Sequence, residues 1–555
     1  MDLAALRSPA APLRRSEGRA GLPAAERASR PWRPLLLAAL AAALTGGCGR
    51  DRAGDSMVVG MRSDFSGINP VTSSSYYTVQ LCNYALFTPL IQYSADLQPE
   101  PWLASSWQLH GDTAITFRLR TDVQWHDGRR VTAADVAFTF DLAKTPETAS
   151  LLATAFLADV ASARVVDDST ITFRYTRPHA QAVEDFWWAP LPRHLLQSVP
   201  PAELANAPFN REPVGSGPFR FGEWRPNERL LLVPNPDFPT ALGGPAAARR
   251  VVFRIVPEAS TMLAELITGG VDVDIPVLPE QVAEIRKTAG VQLHSFPGTT
   301  VYFLGWNNER EPFRDARVRL ALARAINRRE IIAALLHGEG EIATSTIPPW
   351  HPMYPRAVEP LAFDRAGALR LLEAAGWRDT DGDGVRERAG RPLAFTLLTA
   401  DDQLRRAVAE VVQSQLRAVG AHVEIQASEF QTMLAAHKER NYDAVFTNWV
   451  LDNFQVAGSL FSLFHSSQAD VPLSTNRTGT RIPELDRLIE RGAVATDPAA
   501  QRAVWLEVTR LLQREQPVTF MFWLAELAAS RSQVRGVEMD PRGELRTLAR
   551  WTRRH

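Results

Sequence analysis

Lysine is almost absent from this chain of 555 residues. Of its 61 basic residues only Lys144, Lys287 and Lys438 are lysines, and the formal net charge is −1. A near-neutral chain without a basic stripe makes nucleic acid a poor partner. There are two cysteines, Cys48 and Cys82, too few for a disulfide framework. Eleven histidines form no His-Glu-x-x-His spacing and there is no Cys-x-x-Cys, so the motifs of a structural or catalytic zinc site are missing. No Walker A motif occurs, which excludes a P-loop ATPase. The run Gly215-Ser216-Gly217 has no residue between serine and either glycine, so it is a tight turn and not a nucleophile elbow. No nucleophile–base constellation is visible, and an enzyme is not expected. No repeat of solenoid period is found either.

What is present is ordinary for a globular protein, with 45% hydrophobic and 22% charged residues. The length predicts two or three domains. The N-terminus carries Arg30 and Arg33, the apolar run Pro34 to Leu44, and then Thr45-Gly46-Gly47-Cys48. That apolar run of 11 residues suits an export signal and is too short to span a bilayer. Small residues before Cys48 resemble a lipobox, with Thr45 where leucine is usual. The resemblance implies that Cys48 is acylated and anchors the mature chain, and cleavage near Gly47 without lipid is the alternative. Residues 1–47 are therefore read as a signal peptide with a long Arg/Ala/Pro-rich extension, whose length points to a start codon placed upstream of the true one, with a disordered tail as the alternative. From Cys48 onward the formal charge is −5.

The most informative stretch is residues 117–140. A strand at Ile115–Leu119 enters a turn at Asp127-Gly128, and Thr132 with Asp135 has capping-box spacing ahead of a helix. The run Phe-x-Leu-Arg, His-Asp-Gly, Thr-Ala-x-Asp-Val resembles the signature of family 5 bacterial solute-binding proteins, the dipeptide and oligopeptide receptors of ABC importers. Further runs agree in order. They are Pro101-Trp102-Leu103-Ala104-Ser105-Ser106-Trp107, Asn235-Pro236-Asp237-Phe238, and Pro312-Phe313-Arg314-Asp315-Ala316-Arg317-Val318-Arg319. The resemblance spans roughly residues 57–555.

From Arg365 onward helices alternate with strands, at Leu393–Thr399, His422–Gln426 and Ala444–Trp449, which predicts an α/β lobe with a parallel or mixed sheet. Apolar Val301 to Asn308 and Val518 to Trp523 are further strands. The fold class implied by the resemblance is α/β and two-lobed, the large type II periplasmic-binding-protein fold with an extra subdomain, mixed sheets and two hinge crossings near 300–307 and 520–523. The implied division is a tether at 48–56, first-lobe segments at 57–92, 213–303 and 522–555, an inserted subdomain at 93–212, and a second lobe at 304–521.

The resemblance also points to a ligand site. Asn441-Tyr442-Asp443-Ala444-Val445-Phe446-Thr447-Asn448-Trp449-Val450-Leu451-Asp452 is similar to the family's strand ending Trp-x-x-Asp. It implies that Asp452 binds a peptide α-ammonium through a charge-assisted bond. Trp449 would supply flat apolar area, with Asn448 beside it. Beyond Asp452 the chain reads Asn453-Phe454-Gln455 and departs from the family pattern, so side-chain specificity does not carry over. Tyr76 and Trp523 are further ligand-binding candidates, each with a packing role as the alternative. Asp379-Thr380-Asp381-Gly382-Asp383-Gly384 begins like an EF-hand loop, but the twelfth position is Gly390. It is read as a solvated turn, and no metal or cofactor is expected.

The function implied is an extracytoplasmic binding receptor, periplasmic or at the cell surface. It would bind oligopeptides in an interlobe cleft and deliver them to an inner-membrane ABC permease, as a monomer held to the membrane by lipid on Cys48. Alternatives on the same fold are a nickel-chelate, oligosaccharide or opine-like cargo, or a periplasmic sensor.

Overall fold

A computed structural model describes residues 56–73, 75–179, 182–451, 454–471 and 474–554. Cys48 and Asp452 lie outside the described residues. Two long strands, Val291–Trp306 and Val518–Arg531, organise the rest. They pair antiparallel, and the ladder is interrupted between Pro297 and Val301. On one side of the interruption, Val291–Pro297 pairs with Ala525–Arg531; the sheet continues through Val273–Ile275, Met57–Met61, Val251–Ile255, Arg229–Pro234 and Phe219–Arg225. On the other side, Val301–Gly305 pairs with the Val518 end; the sheet continues through Ala444–Val450, Ala394–Ala400 and His422–Ser428. Both halves mix parallel and antiparallel neighbours.

Each half has its own core. The first gathers residues from Met57 to Ile275 and returns for Ala528, Val534, Leu545, Leu548 and Trp551. The second is built between Val301 and Trp523. Apolar surface cannot be buried continuously across the interruption, and two lobes result. Among the described residues no helix is long and apolar enough to cross a membrane.

Both long strands exceed their sequence-based bounds. The segment Leu524-Ala525-Glu526-Leu527-Ala528-Ala529 favours helix locally, yet it is strand to Arg531. Pairing with Val273–Ile275 and Val291–Pro297 overrides local preference there.

The signature run proves to be a set of staples. A four-stranded antiparallel sheet runs in the order Ala104–Leu109, Ala114–Leu119, Thr170–Tyr175, Val160–Asp167. The helix Ala133–Lys144 packs beside it and opens on the expected capping box. The Thr132 N–H donates to Asp135 Oδ2 at 2.9 Å, and Asp135 Oδ1 accepts from the Arg193 N–H at 3.0 Å. Aspartate thus serves where glutamate is usual and ties in a distant loop as well.

His126 clamps the Gly-Ser-Gly turn. Its Nδ1 accepts from the Gly215 N–H at 3.1 Å, and its Nε2 faces the Gly217 carbonyl at 3.2 Å. The ring is therefore the neutral tautomer with its proton on Nε2. Burial lowers its pKa to about 4. A Cβ on Gly215 would stand 1.8 Å from the Leu86 carbonyl oxygen, so the turn closes only without a side chain. Ser216 is buried and its Oγ accepts from the Thr88 N–H at 3.1 Å, a packing role.

His126→Gln tests this clamp. At neutral pH the variant should lose stability on the order of 1 kcal/mol, the worth of a buried hydrogen bond. The unfolded chain protonates His126 near its ordinary value of about 6.5, whereas the folded chain resists until about 4. Wild-type stability should therefore fall as pH drops through that window, and the variant's should fall less steeply. Urea midpoints at pH 7 and pH 5 measure both; parallel falls would remove His126 from the account.

Candidate functional site

The ladder interruption separates the two halves of the sheet. In the first lobe stands the helix Tyr76–Leu81. Tyr76 Oη donates to Glu544 Oε2 at 3.1 Å, Tyr77 Oη to Oε1 at 3.5 Å, and Gln80 Nε2 to Oε2 at 2.6 Å. The two tyrosine rings meet edge to face at 5.2 Å. Burial, then the nearby Glu544 charge, raise the Tyr76 pKa well above the usual phenol value. Burial likewise raises the Glu544 carboxyl, although its three donors oppose that shift. Tyr76, picked out by sequence, therefore sits in an anchored first-lobe network.

Glu526 lies on the second long strand beside this network. It is half-buried and makes no hydrogen bond or ion pair with a described residue. Burial, then Glu544, raise its pKa to about 8. A Cβ on Gly298 would meet the Leu524 carbonyl oxygen at 2.2 Å and Glu526 Oε1 at 3.0 Å. Only glycine lets the two strands pass so closely here.

On the second-lobe wall, strand alternation separates neighbours in sequence. Trp449 is registered with Val301, and Val301 with Trp523. This row packs into the second-lobe core, where Trp523 is 2% exposed and Trp449 is half-buried. Neither indole N–H finds an acceptor among the described residues. Trp449 also borders an enclosed cavity of about 30 Å³, together with Thr346 and His437. The Thr346 hydroxyl and the His437 Nε2 are likewise without partners. The cavity is lined mainly by apolar groups, Phe303, Leu463, Phe464, Val518 and Phe520 among them.

Asn448 belongs to the other row, with Tyr302 and Phe522. Its Oδ1 accepts from an Arg405 guanidinium N–H at 2.6 Å. Arg405 also binds Asp402 at 2.6 Å and lies over the Tyr302 ring at 5.4 Å. Asn448 and Trp449 thus serve different faces, and Trp523 shares the face of Trp449. Arg405, Glu526 and Glu544 escaped sequence reasoning. Nothing in Leu404-Arg405-Arg406 tells which arginine turns inward, and the acids lie far from any motif.

The lobes also touch directly. Phe454, at φ +57°, is 6% exposed and enters the first-lobe core. Its ring centroid lies 5.3 Å from Tyr93, 5.7 Å from Trp187 and 5.9 Å from Trp350. Gln455 Nε2 donates to Asp185 Oδ1 at 2.8 Å, and the Trp350 indole N–H donates to the Gly298 carbonyl at 3.0 Å. This contact follows directly on the Trp449–Asp452 motif.

The acidic turn brings Asp379, Asp381 and Glu387 together, with one oxygen of each within 4.8 Å of the others. Glu387 is the ninth residue counted from Asp379. The twelfth position of an EF-hand loop, Gly390, contributes no side chain. Asp379 is engaged by the turn itself, accepting from the Gly382 and Gly384 N–H groups.

Phe454→Ala should open the unliganded protein. A buried phenylalanine truncated to alanine costs about 3–5 kcal/mol, and here that cost falls on the lobe-to-lobe contact. Small-angle scattering should show a larger radius of gyration with unchanged circular dichroism. An unchanged radius would mean that the ring does not hold the lobes together.

Comparison with known proteins places this geometry. Residues 98–470 match the family described as bacterial extracellular solute-binding proteins, family 5 middle. The oligopeptide-binding protein AppA of Bacillus subtilis is 27% identical over 513 residues, covering 91% of this chain and 92% of that one. The dipeptide-binding protein of Escherichia coli is 25% identical, covering 86% and 91%. The solved structure of Bacillus subtilis AppA with a nonapeptide superposes with a TM-score of 0.74 at 26% identity, covering 90% of this chain and 99% of that one. NikA of Brucella suis, solved with Fe(III)-EDTA, gives 0.80 at 22% identity, covering 90% and 100%, and so shows the fold. The chain is a two-lobed α/β protein and belongs to the bacterial extracellular solute-binding proteins of family 5.

Proposed function

We propose that this protein is the binding receptor of an ABC importer and that its cargo is oligopeptide, taken up in the gap between the lobes. The similarity to an oligopeptide-binding protein over nine-tenths of both chains carries this reading. The geometry suits it, since two separate cores are joined by the two long strands, by the Phe454 contact and by the Arg286–Glu339 ion pair at 2.6 Å. Such a receptor performs no covalent chemistry. Ligand contacts made with both walls favour the closed form, which the permease then recognises.

In this reading Asp452 takes the peptide α-ammonium. Trp449 offers an apolar edge, with Trp523 in the same row beneath it. Asn448, steadied by Arg405, faces the peptide from the second lobe, and Tyr76 faces it from the first. Asp452→Asn keeps the shape and removes the charge. A buried ammonium left unpaired loses roughly 3–5 kcal/mol, or about two to four decades of affinity. Calorimetric titration with free and N-acetylated peptides should show the mutation and the acetyl group costing similar amounts, and not additively. Wild-type affinity in the variant would discard Asp452 as the ammonium site. Ligand released on denaturation, identified by mass spectrometry, reports the cargo directly; a consistent non-peptide species would overturn the peptide reading.

Cys48 is proposed as the lipid-bearing N-terminus of an exported, membrane-held monomer, because an acyl chain is the anchor its flanking residues suit. Cys48→Ala should abolish metabolic labelling with a fatty acid and release the protein from membranes. Equal labelling of variant and wild type would reject the assignment.

A further inference from the structure

The first lobe holds a second pocket, of about 190 Å³. It is formed between the C-terminal segment 542–550, the turn at 238–244, and residues 83–102. None of its lining residues comes from the second lobe. Its walls are flat and apolar, from Tyr84, Tyr93, Trp102 and Phe238.

Its polar side is built of unfinished interactions. Arg542 and Arg546 share one carboxylate, that of Asp540. Arg542 binds it through Nε at 2.9 Å and through a terminal nitrogen at 2.6 Å, and Arg546 reaches it at 3.1 Å. Arg546 also lies 3.5 Å from the exposed Glu538. The Nε–H of Arg546 is closed to solvent and has no acceptor among the described residues. Arg550, on the same rim, makes no side-chain hydrogen bond or ion pair with a described residue. Asn83 is 5% exposed and lines the pocket, and its carboxamide likewise meets no partner there. The one acid lining the pocket is Glu100. Flat apolar walls with a few convergent polar groups are the usual make-up of a small-molecule site.

We propose that this pocket binds a small organic anion: a carboxylate carried on a flat apolar ring. The carboxylate accepts from Arg550, with the Arg546 guanidinium beside it adding positive charge, in the charge-assisted geometry that guanidinium favours. The ring lies between Trp102 and Tyr84, and Asn83 takes a polar substituent. The pocket is too small for an oligopeptide, so it is a site apart from the cleft, and this inference does not depend on what the cleft carries.

Indole-3-acetate is a suitable probe, with indole-3-acetamide as its neutral isostere and inorganic phosphate as a bare anion. Titration of the full chain, followed by calorimetry and saturation-transfer NMR, should show saturable binding of the acid. The amide should bind roughly tenfold or more weakly, the worth of a charge-assisted hydrogen bond. Arg550→Gln, at an exposed position that should leave folding intact, should lose a similar factor, and so should Arg546→Gln. Asp452→Asn should leave the binding unchanged, which separates this pocket from the cleft. The proposal would be overturned by acid and amide binding alike, by Arg550→Gln binding like wild type, or by no saturable binding of the acid. Phosphate binding as tightly as the acid would leave an unspecific anion patch in place of a ring-and-carboxylate site, and would overturn it too.

Discussion

The break in one ladder governs this molecule. Two strands run through both lobes, and their pairing breaks between Pro297 and Val301, with a second register shift between Tyr302 and Phe303. A ladder that breaks there leaves few hydrogen bonds to resist bending, while the cores on either side resist it strongly. Motion is therefore concentrated where the strands cross. Gly298 makes the crossing possible, because any larger residue would strike the Leu524 carbonyl oxygen. The same glycine accepts the Trp350 indole hydrogen bond through its carbonyl. One residue thus sets how closely the strands pass and where the second lobe leans on them. The walls of the gap follow from this, since Glu526 leaves the crossing on one side and Tyr302 on the other.

Much of this was legible in the sequence, for identifiable reasons. The alternating helices and strands of the second lobe follow period and caps, and Asp402 and Asp497 cap the helices Gln403–Arg417 and Pro498–Glu515. The signature near His126 was legible as a family mark but not as a mechanism. Its histidine clamps a turn almost ninety residues away in sequence, and no periodicity encodes that. The far halves of the two long strands were not legible, because Leu524 to Ala529 carries helix-forming residues and only long-range pairing holds it extended. At the site, the resemblance placed Trp449 and Asn448 together, and the strand places them on opposite faces. Arg405 and Glu526 were invisible because what distinguishes them is the direction in which their side chains point.

The Phe454 contact links packing to affinity without any ligand contact. Its left-handed backbone costs roughly 1–2 kcal/mol for a residue with a Cβ, and burial of the ring among three aromatics offsets that cost. The balance fixes how much of the empty protein is already closed. Apparent affinity scales with that closed fraction. A plug made by one lobe and received by the other therefore tunes binding for every cargo alike. Discrimination between cargoes is left to groups that face the gap.

Those groups are not balanced in charge. Arg405 on the second-lobe wall is already occupied by Asp402 and Asn448. On the first-lobe wall Glu544 is satisfied by neutral donors, and Glu526 has no partner among the described residues. Burial and the neighbouring acid hold the Glu526 carboxyl near 8, so it is largely uncharged in the empty gap at neutral pH. An uncharged carboxyl costs little to keep half-buried, whereas an arriving cation would favour its ionised form. The wall can thus wait without a buried charge and acquire one when a positive group supplies the partner. That arrangement suits a ligand bearing an ammonium, and it places the complementary charge beside the crossing of the strands.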